Sequence, residues 1–110
     1  VRQHIPLHAA PIACTLDGAD AVAERVEQWR GLLTLATDRQ AIDGGLRIAF
    51  PPDPDTAADV ARLAAAEQGC CSFFDFSLHI TSAAVMLDVR APKEAADLVS
   101  GLFGEAGPTR

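Results

Sequence analysis

The sequence predicts an α+β fold in the order βα-ββα-ββα, a largely antiparallel sheet with helices packed on one face. Two alternating apolar stretches read as hairpins, and each is followed by a proline stop and a run with helical spacing. A partial internal repeat supports the pairing of these units. "LRIAFP" (46–51) parallels "LDVRAP" (87–92), and "AADV" (57–60) parallels "AADL" (95–98). The offsets differ by the extra length of "PPDPD", so each half is a hairpin, a proline stop and a helix. The expected domain spans 11–104, with an irregular segment over 1–10 and a frayed tail over 105–110.

"PIACTL" (11–16) is short and apolar and predicts the first strand, with Ile12, Cys14 and Leu16 on one face. In "DGADAVAERVEQWRGLLTLA", Asp17 can cap a helix and Asp20 lies in its first turn. Val22, Val26, Trp29 and Leu33 recur at helical spacing, which makes Trp29 a core anchor. "RQAIDGGLRIAF" predicts a hairpin turning at Asp43-Gly44-Gly45, with Leu46, Ile48 and Phe50 facing inward. Asp53 and Pro54 then supply a cap and a first helical residue for a helix through 56–68. Gly69 is expected to end it just before Cys70 and Cys71. A second hairpin alternates Phe74, Phe76, Leu78 and Ile80 with Asp75, Ser77 and His79, then Val85, Leu87 and Val89 with Met86, Asp88 and Arg90. The last helix, "PKEAADLVSGLFG", is expected to bury Ala95, Leu98, Val99 and Leu102.

Composition narrows the function. Apolar residues are 49% of the 110 and charged residues 22%, the balance of a globular domain with a core of its own. Fifteen acids against nine Lys and Arg give a net charge of −6 with no basic cluster, which opposes binding to a phosphate backbone. Nucleic acid is therefore not an expected partner of this domain by itself. Nor is a membrane, because no apolar run approaches the roughly 18–20 residues of a span. The opening residues lack the apolar stretch of a secretory signal, and an odd, low cysteine count suits a reducing compartment. A cytoplasmic location is the expectation.

The chemistry-bearing residues are three cysteines, Cys14, Cys70 and Cys71. Adjacent Cα atoms lie about 3.8 Å apart, short of the usual 4.4–6.8 Å or so for a disulfide. A bridge within the pair is strained, and an oxidised bond is expected to join Cys14 to one of the two. Neighbouring thiolates can instead pinch a soft cation, with Cys14 as a third ligand delivered from the helix-covered face of the sheet. Such ligands suit copper(I), zinc and iron–sulfur centres, and by the same softness mercury(II) and arsenic(III). A four-ligand zinc site fits less well, because only three cysteines are present. The alternative is that the cysteines are small buried hydrophobes.

Glu67 precedes the pair by three and four residues, one helical turn. It can orient a ligand, add a hard donor or face solvent at a helix end, and the last is the simpler reading. His79 alternates away from the aromatic face and reads as a surface residue. Asp75, a conceivable proton donor for an organomercurial-processing protein, also points outward. A thiol enzyme would need a base that the spacing does not place, and no C-x-x-C is present. An exposed strand edge leaves a structural or dimerisation role open, with a homodimer as its form.

"PIACTL", "RVEQWRGLL", "DGGLRIAFPPD", "LAAAEQGCCSFFDFSLHI" and "VRAPKEAADLVSGLFG" together resemble a cysteine-containing domain that forms the C-terminal segment of some actinobacterial MerR-type transcriptional regulators. The likeness covers residues 11–104 and is sharpest at Glu67, Cys70, Cys71, Phe73 and Phe74. It implies the effector half of such a regulator, binding a soft metal or a thiol-reactive ligand. It also implies a regulator partner, since the DNA-binding part is not in this sequence. The combined expectation is thiolate binding of a mercury- or arsenic-class ion by Cys14, Cys70 and Cys71.

Overall fold

The turn at Asp43-Gly44 fixes the first hairpin. Gly44 takes a φ of 80°, a conformation that costs glycine little, and it joins strand β1 (Asp38–Ile42) to β2 (Gly45–Phe50). Gly45 answers a different demand. A β-carbon there would overlap the carbonyl oxygen of Val89 on the neighbouring strand. The structure, a computed structural model, describes residues 18–104. Its elements run α1 (Gly18–Leu33), β1, β2, α2 (Pro54–Cys70), β3 (Asp75–Ile80), β4 (Val85–Arg90), a 3-10 turn (Lys93–Ala95) and α3 (Ala96–Phe103). The expected first strand at 11–16, the segment 1–10 and the tail 105–110 lie outside the described residues. None of the helices described is long and apolar enough to cross a membrane.

The α+β order is as the sequence predicts. The strand order is β1-β2-β4-β3 with every neighbouring pair antiparallel. The two hairpins meet through β2 and β4, where Leu46 opposes Val89 and Ile48 opposes Leu87. Under the 41-residue offset of the repeat, Leu46 corresponds to Leu87 and Ile48 to Val89. Each of these pairs therefore maps onto the other, which places an approximate two-fold axis at the Arg47–Asp88 pair. Helix positions follow the same exchange: α2 packs on β3 and β4, and α3 packs on β2. Helix α1 leans on both helices.

Alternation sends Ile48, Phe50, Val85, Leu87 and Val89 to the helix side, where they are buried with Trp29, Val60 and Phe103. Trp29 meets Phe103 edge-on at a centroid distance of 4.6 Å, and Phe103 also meets Phe74 and Phe76. Two expectations need correction. Leu98 is 43% exposed while Phe103 is fully buried. The chain after Pro92 makes a 3-10 turn before the α-helix, and the buried line then runs along Ala95, Val99 and Phe103 at four-residue spacing. Helix α2 also passes through Gly69 and ends at Cys70. Its start is as read: Asp53 caps the Thr56 amide and Pro54 takes the first turn.

The open face of the sheet is polar around Asp88. Arg47 donates to both carboxylate oxygens at 2.7 and 2.9 Å, with Arg90 at 3.7 Å and His79 at 3.9 Å. The hydrogen bonds from Arg47 hold the Asp88 carboxyl below its ordinary pKa, against an opposing effect of burial. A carboxyl depressed in the folded state stabilises the fold above its unfolded pKa of about 3.9 and loses that contribution as pH falls through the depressed value. Asp88→Asn should therefore melt below wild type at neutral pH, and the gap should close below about pH 4. Melting temperature against pH measures it. Gly45→Ala should cost about 1–3 kcal/mol in denaturant titration, more than Gly44→Ala, which meets no neighbouring atom.

Candidate metal centre

The end of α2 carries the chemistry. The Cys71 amide donates to the Glu67 carbonyl at 2.7 Å, so the helical hydrogen-bond ladder persists past Gly69. Glu67, Cys70 and Cys71 consequently share one turn, and Glu67 neighbours both cysteines at three- and four-residue spacing. Each of the three offers a donor atom, and these atoms all lie within 4.8 Å of one another. Glu67 and Cys71 are each 2% exposed, and Cys70 is half-buried.

Glu67 does not face solvent, contrary to the simpler reading of the sequence. Helix α1 reaches it with two donors spaced four residues apart on one face. The Trp29 indole N–H donates to Oε1 at 2.8 Å, and Arg25 donates to the same oxygen at 3.1 Å. Trp29 is thus the expected core anchor and also a hydrogen-bond donor to the site. With Oε1 engaged in this way, Oε2 is turned toward the Cys70 sulfur, 3.8 Å away. Arg25 reaches that sulfur as well, at 3.4 Å. Nothing in the sequence reading singled out Arg25. Its signal is its place four residues before Trp29, next to a buried stripe, where an arginine needs an acidic partner.

The Cys70 and Cys71 sulfurs stand 3.6 Å apart, well beyond the roughly 2.05 Å of a disulfide bond. Cys71 is disulfide-bonded, and Cys70 is not part of that bond. Cys14, the expected third ligand, lies outside the described residues. Asp75 and His79 project from β3 at exposed positions, His79 beside Asp88 on the open face, and neither joins the cluster. A carboxylate near the thiols, which spacing alone does not supply as a base, is present in Glu67.

An apolar cavity of about 440 Å³ opens beside the cluster, with Arg25, Glu67 and Cys71 in its wall. Phe73 and Phe74, from the turn after the cysteines, form part of it. Val22 and Leu98, both 43% exposed, border it from α1 and α3.

Burial raises the Cys70 thiol above its ordinary pKa, the Glu67 charge raises it further, and Arg25 pulls in the other direction. The C-terminal end of a helix adds negative potential, which also disfavours a thiolate. At neutral pH the site therefore rests with its Cys70 proton on. Comparison with protein-family models, with curated proteins and with solved structures gives no match.

Alkylation of Cys70 by iodoacetamide should be slow at neutral pH and accelerate only above the ordinary thiol range. Arg25→Gln should move the profile to higher pH, and Glu67→Gln should move it lower. Site-resolved mass spectrometry of the alkylated chain reads both shifts.

Proposed function

We propose that this domain binds a thiophilic metal or metalloid ion through the Cys70 and Cys71 sulfurs. Cys14 serves as a third thiolate and the Glu67 carboxylate lies beside them. The observation that carries the reading is the convergence of one carboxylate and two sulfurs within 4.8 Å at a mostly buried helix end. Sulfur donors rank mercury(II) and arsenic(III) ahead of zinc, and copper(I) follows on the same softness. The buried carboxylate is held by two donors from α1, so its position beside the sulfurs is set before any ion arrives.

Coordination needs deprotonated sulfur. Since the Cys70 thiol is held above its ordinary pKa, the ion must drive the proton off, and the Glu67 Oε2 at 3.8 Å is a nearby acceptor for it. Uptake then releases protons and weakens as pH falls. Cys71 must also be out of its disulfide, so the reduced chain is the binding form. The resemblance to an effector segment extends the reading to sensing: ion capture would be passed to a DNA-binding partner on another part of the assembly.

The disulfide at Cys71 favours a second reading, thiol–disulfide exchange, with the Cys70 sulfur 3.6 Å from the bonded sulfur. Exchange proceeds through the thiolate, and the raised Cys70 pKa places this reading behind metal capture.

Native mass spectrometry of the reduced chain with mercury(II), arsenite, zinc and copper(I) tests the proposal. One ion per chain is expected for the first two. Cys70→Ala and Cys71→Ala should each lower affinity at least about tenfold, a loss of about 1.4 kcal/mol of binding. Stability of the reduced chain should fall by only about 1 kcal/mol; in the oxidised chain Cys71→Ala also removes the disulfide and should cost about 2–5 kcal/mol. Cys14→Ala should abolish arsenite binding while mercury(II), content with two sulfurs, is weakened less. Wild-type affinity in all three variants, with lowered melting temperatures alone, would reduce the cysteines to packing.

A further inference from the structure

We infer that the preferred ligand of this site is a monosubstituted organoarsenic(III) species, with arsenic on Cys70 and Cys71 and its organic group in the adjoining cavity. The inference rests on the thiolate-binding reading above and adds what the ligand carries besides arsenic.

Two observations point the same way. The first is the sulfur pair. Arsenic(III) is pyramidal and takes two sulfurs at a strongly bent angle, so it calls for neighbouring donors, whereas two-coordinate mercury(II) is linear and sets its sulfurs on opposite sides. The sulfurs stand 3.6 Å apart with Cys71 in its disulfide, and because they belong to consecutive residues they stay close enough in the reduced chain to suit the bent ion. The second observation is what lies next to them. The third bond of arsenic is met by a void with a wall of Val22, Val26, Phe73, Phe74, Leu98 and Leu102. At about 440 Å³ it falls within the roughly 300–1,000 Å³ typical of small-molecule sites. Arg25, Glu67 and Asp97 also line the cavity, but most of the wall is apolar and favours a hydrocarbon substituent over a hydroxide or water. An aryl or alkyl group on arsenic uses both features at once.

Once a thiol reductant has opened the Cys71 disulfide, the capture step balances without a further redox partner. In an arsonous acid, R–As(OH)2, two As–O bonds break and two S–As bonds form. The thiol protons of Cys70 and Cys71 leave with the departing oxygens as two waters, and arsenic stays trivalent with its carbon bond intact. The organic group occupies the position that a third thiolate must take for inorganic arsenite. Cys14 is therefore dispensable for this ligand.

Gly101 offers a clean way to close the cavity. It lies in the cavity wall on α3, and a β-carbon there meets no atom within 4 Å. Replacing a mid-helix glycine also favours the helix, so Gly101→Leu should fold at least as well as wild type.

The experiment is a competition titration of the reduced chain against a small dithiol, with phenylarsine oxide, methylarsonous acid, arsenite and mercury(II) as probes and mass spectrometry for stoichiometry. Wild type should take one phenylarsenic per chain and prefer phenyl to methyl by about tenfold or more, as expected for burying a ring. Cys14→Ser should lose arsenite and keep phenylarsine oxide. Gly101→Leu should bring phenyl down to the level of methyl while arsenite binding and melting temperature hold. Equal phenyl and methyl affinity in wild type, or an unchanged phenyl preference in Gly101→Leu, would overturn the role of the cavity. Loss of phenylarsine oxide together with arsenite in Cys14→Ser would overturn the two-thiol attachment. In those cases retained arsenite or mercury(II) binding by wild type leaves the thiolate site standing. Failure of every probe, mercury(II) included, removes both.

Discussion

The position of the candidate site depends on one buried carboxylate. Glu67 draws α1 onto α2 through the Trp29 indole and the Arg25 guanidinium, and its side chain has almost no contact with solvent. A lone carboxylate in such surroundings would carry a desolvation cost of several kcal/mol, so its partners are obligatory rather than decorative. Breaking a buried pair by removing one member typically costs about 3–5 kcal/mol, because the other charge is stranded. That asymmetry gives the helix pair a fixed register. It also holds Glu67 Oε2 toward Cys70, so the contact that orders the fold also sets the electrostatics of the thiol.

The two-fold pattern in the sheet explains where chemistry is and is not. Both repeats contribute a hairpin and a helix, and the central Arg47–Asp88 pair relates equivalent positions with opposite charges. The helices differ in length: α2 has 17 residues and α3 has 8. Glu67 and Cys70 lie in the last turn of α2 and Cys71 caps it, beyond the part that α3 reproduces. The common part builds the scaffold, and the extension carries the reactive groups. Helix α1, which has no counterpart in the repeat, supplies the residues that hold that extension in place.

Much of this scaffold can be read from local signals. The Asp43-Gly44-Gly45 turn, the Asp53-Pro54 start and the alternation in β2, β3 and β4 each act over a few residues, and a sequence states them directly. The neighbouring placement of Glu67, Cys70 and Cys71 was legible as spacing. The burial of Glu67 was not, because its donors are 38 and 42 residues away and no local pattern distinguishes a solvated helix-end glutamate from a paired one. Helix continuation through Gly69 has a similar origin. Glycine lowers helix propensity by about 1 kcal/mol, and here the tertiary contacts of the following turn outweigh it. Leu98 turns outward and Leu102 is half-buried, with Phe103 inside instead, because the buried line of α3 runs along Ala95, Val99 and Phe103 after a short 3-10 turn. Arg25 was passed over since an arginine beside an apolar stripe ordinarily reaches out to water.

The same environment that shelters the thiols also restrains them. Reactive cysteines sit in electropositive, accessible surroundings that stabilise the thiolate. Among the described residues, Arg25 favours the Cys70 thiolate, set against burial, the Glu67 charge and the negative end of α2. A thiol arranged this way is less disposed to form the thiolate than an ordinary cysteine. A soft ion changes the balance because the sulfur–metal bond itself drives the proton off, and it repays burial by leaving no separated charge behind. On the proposed reading, the site would discriminate by the strength of the bond to sulfur and not by the readiness of the sulfur, and the anchoring of Glu67 would set that behaviour.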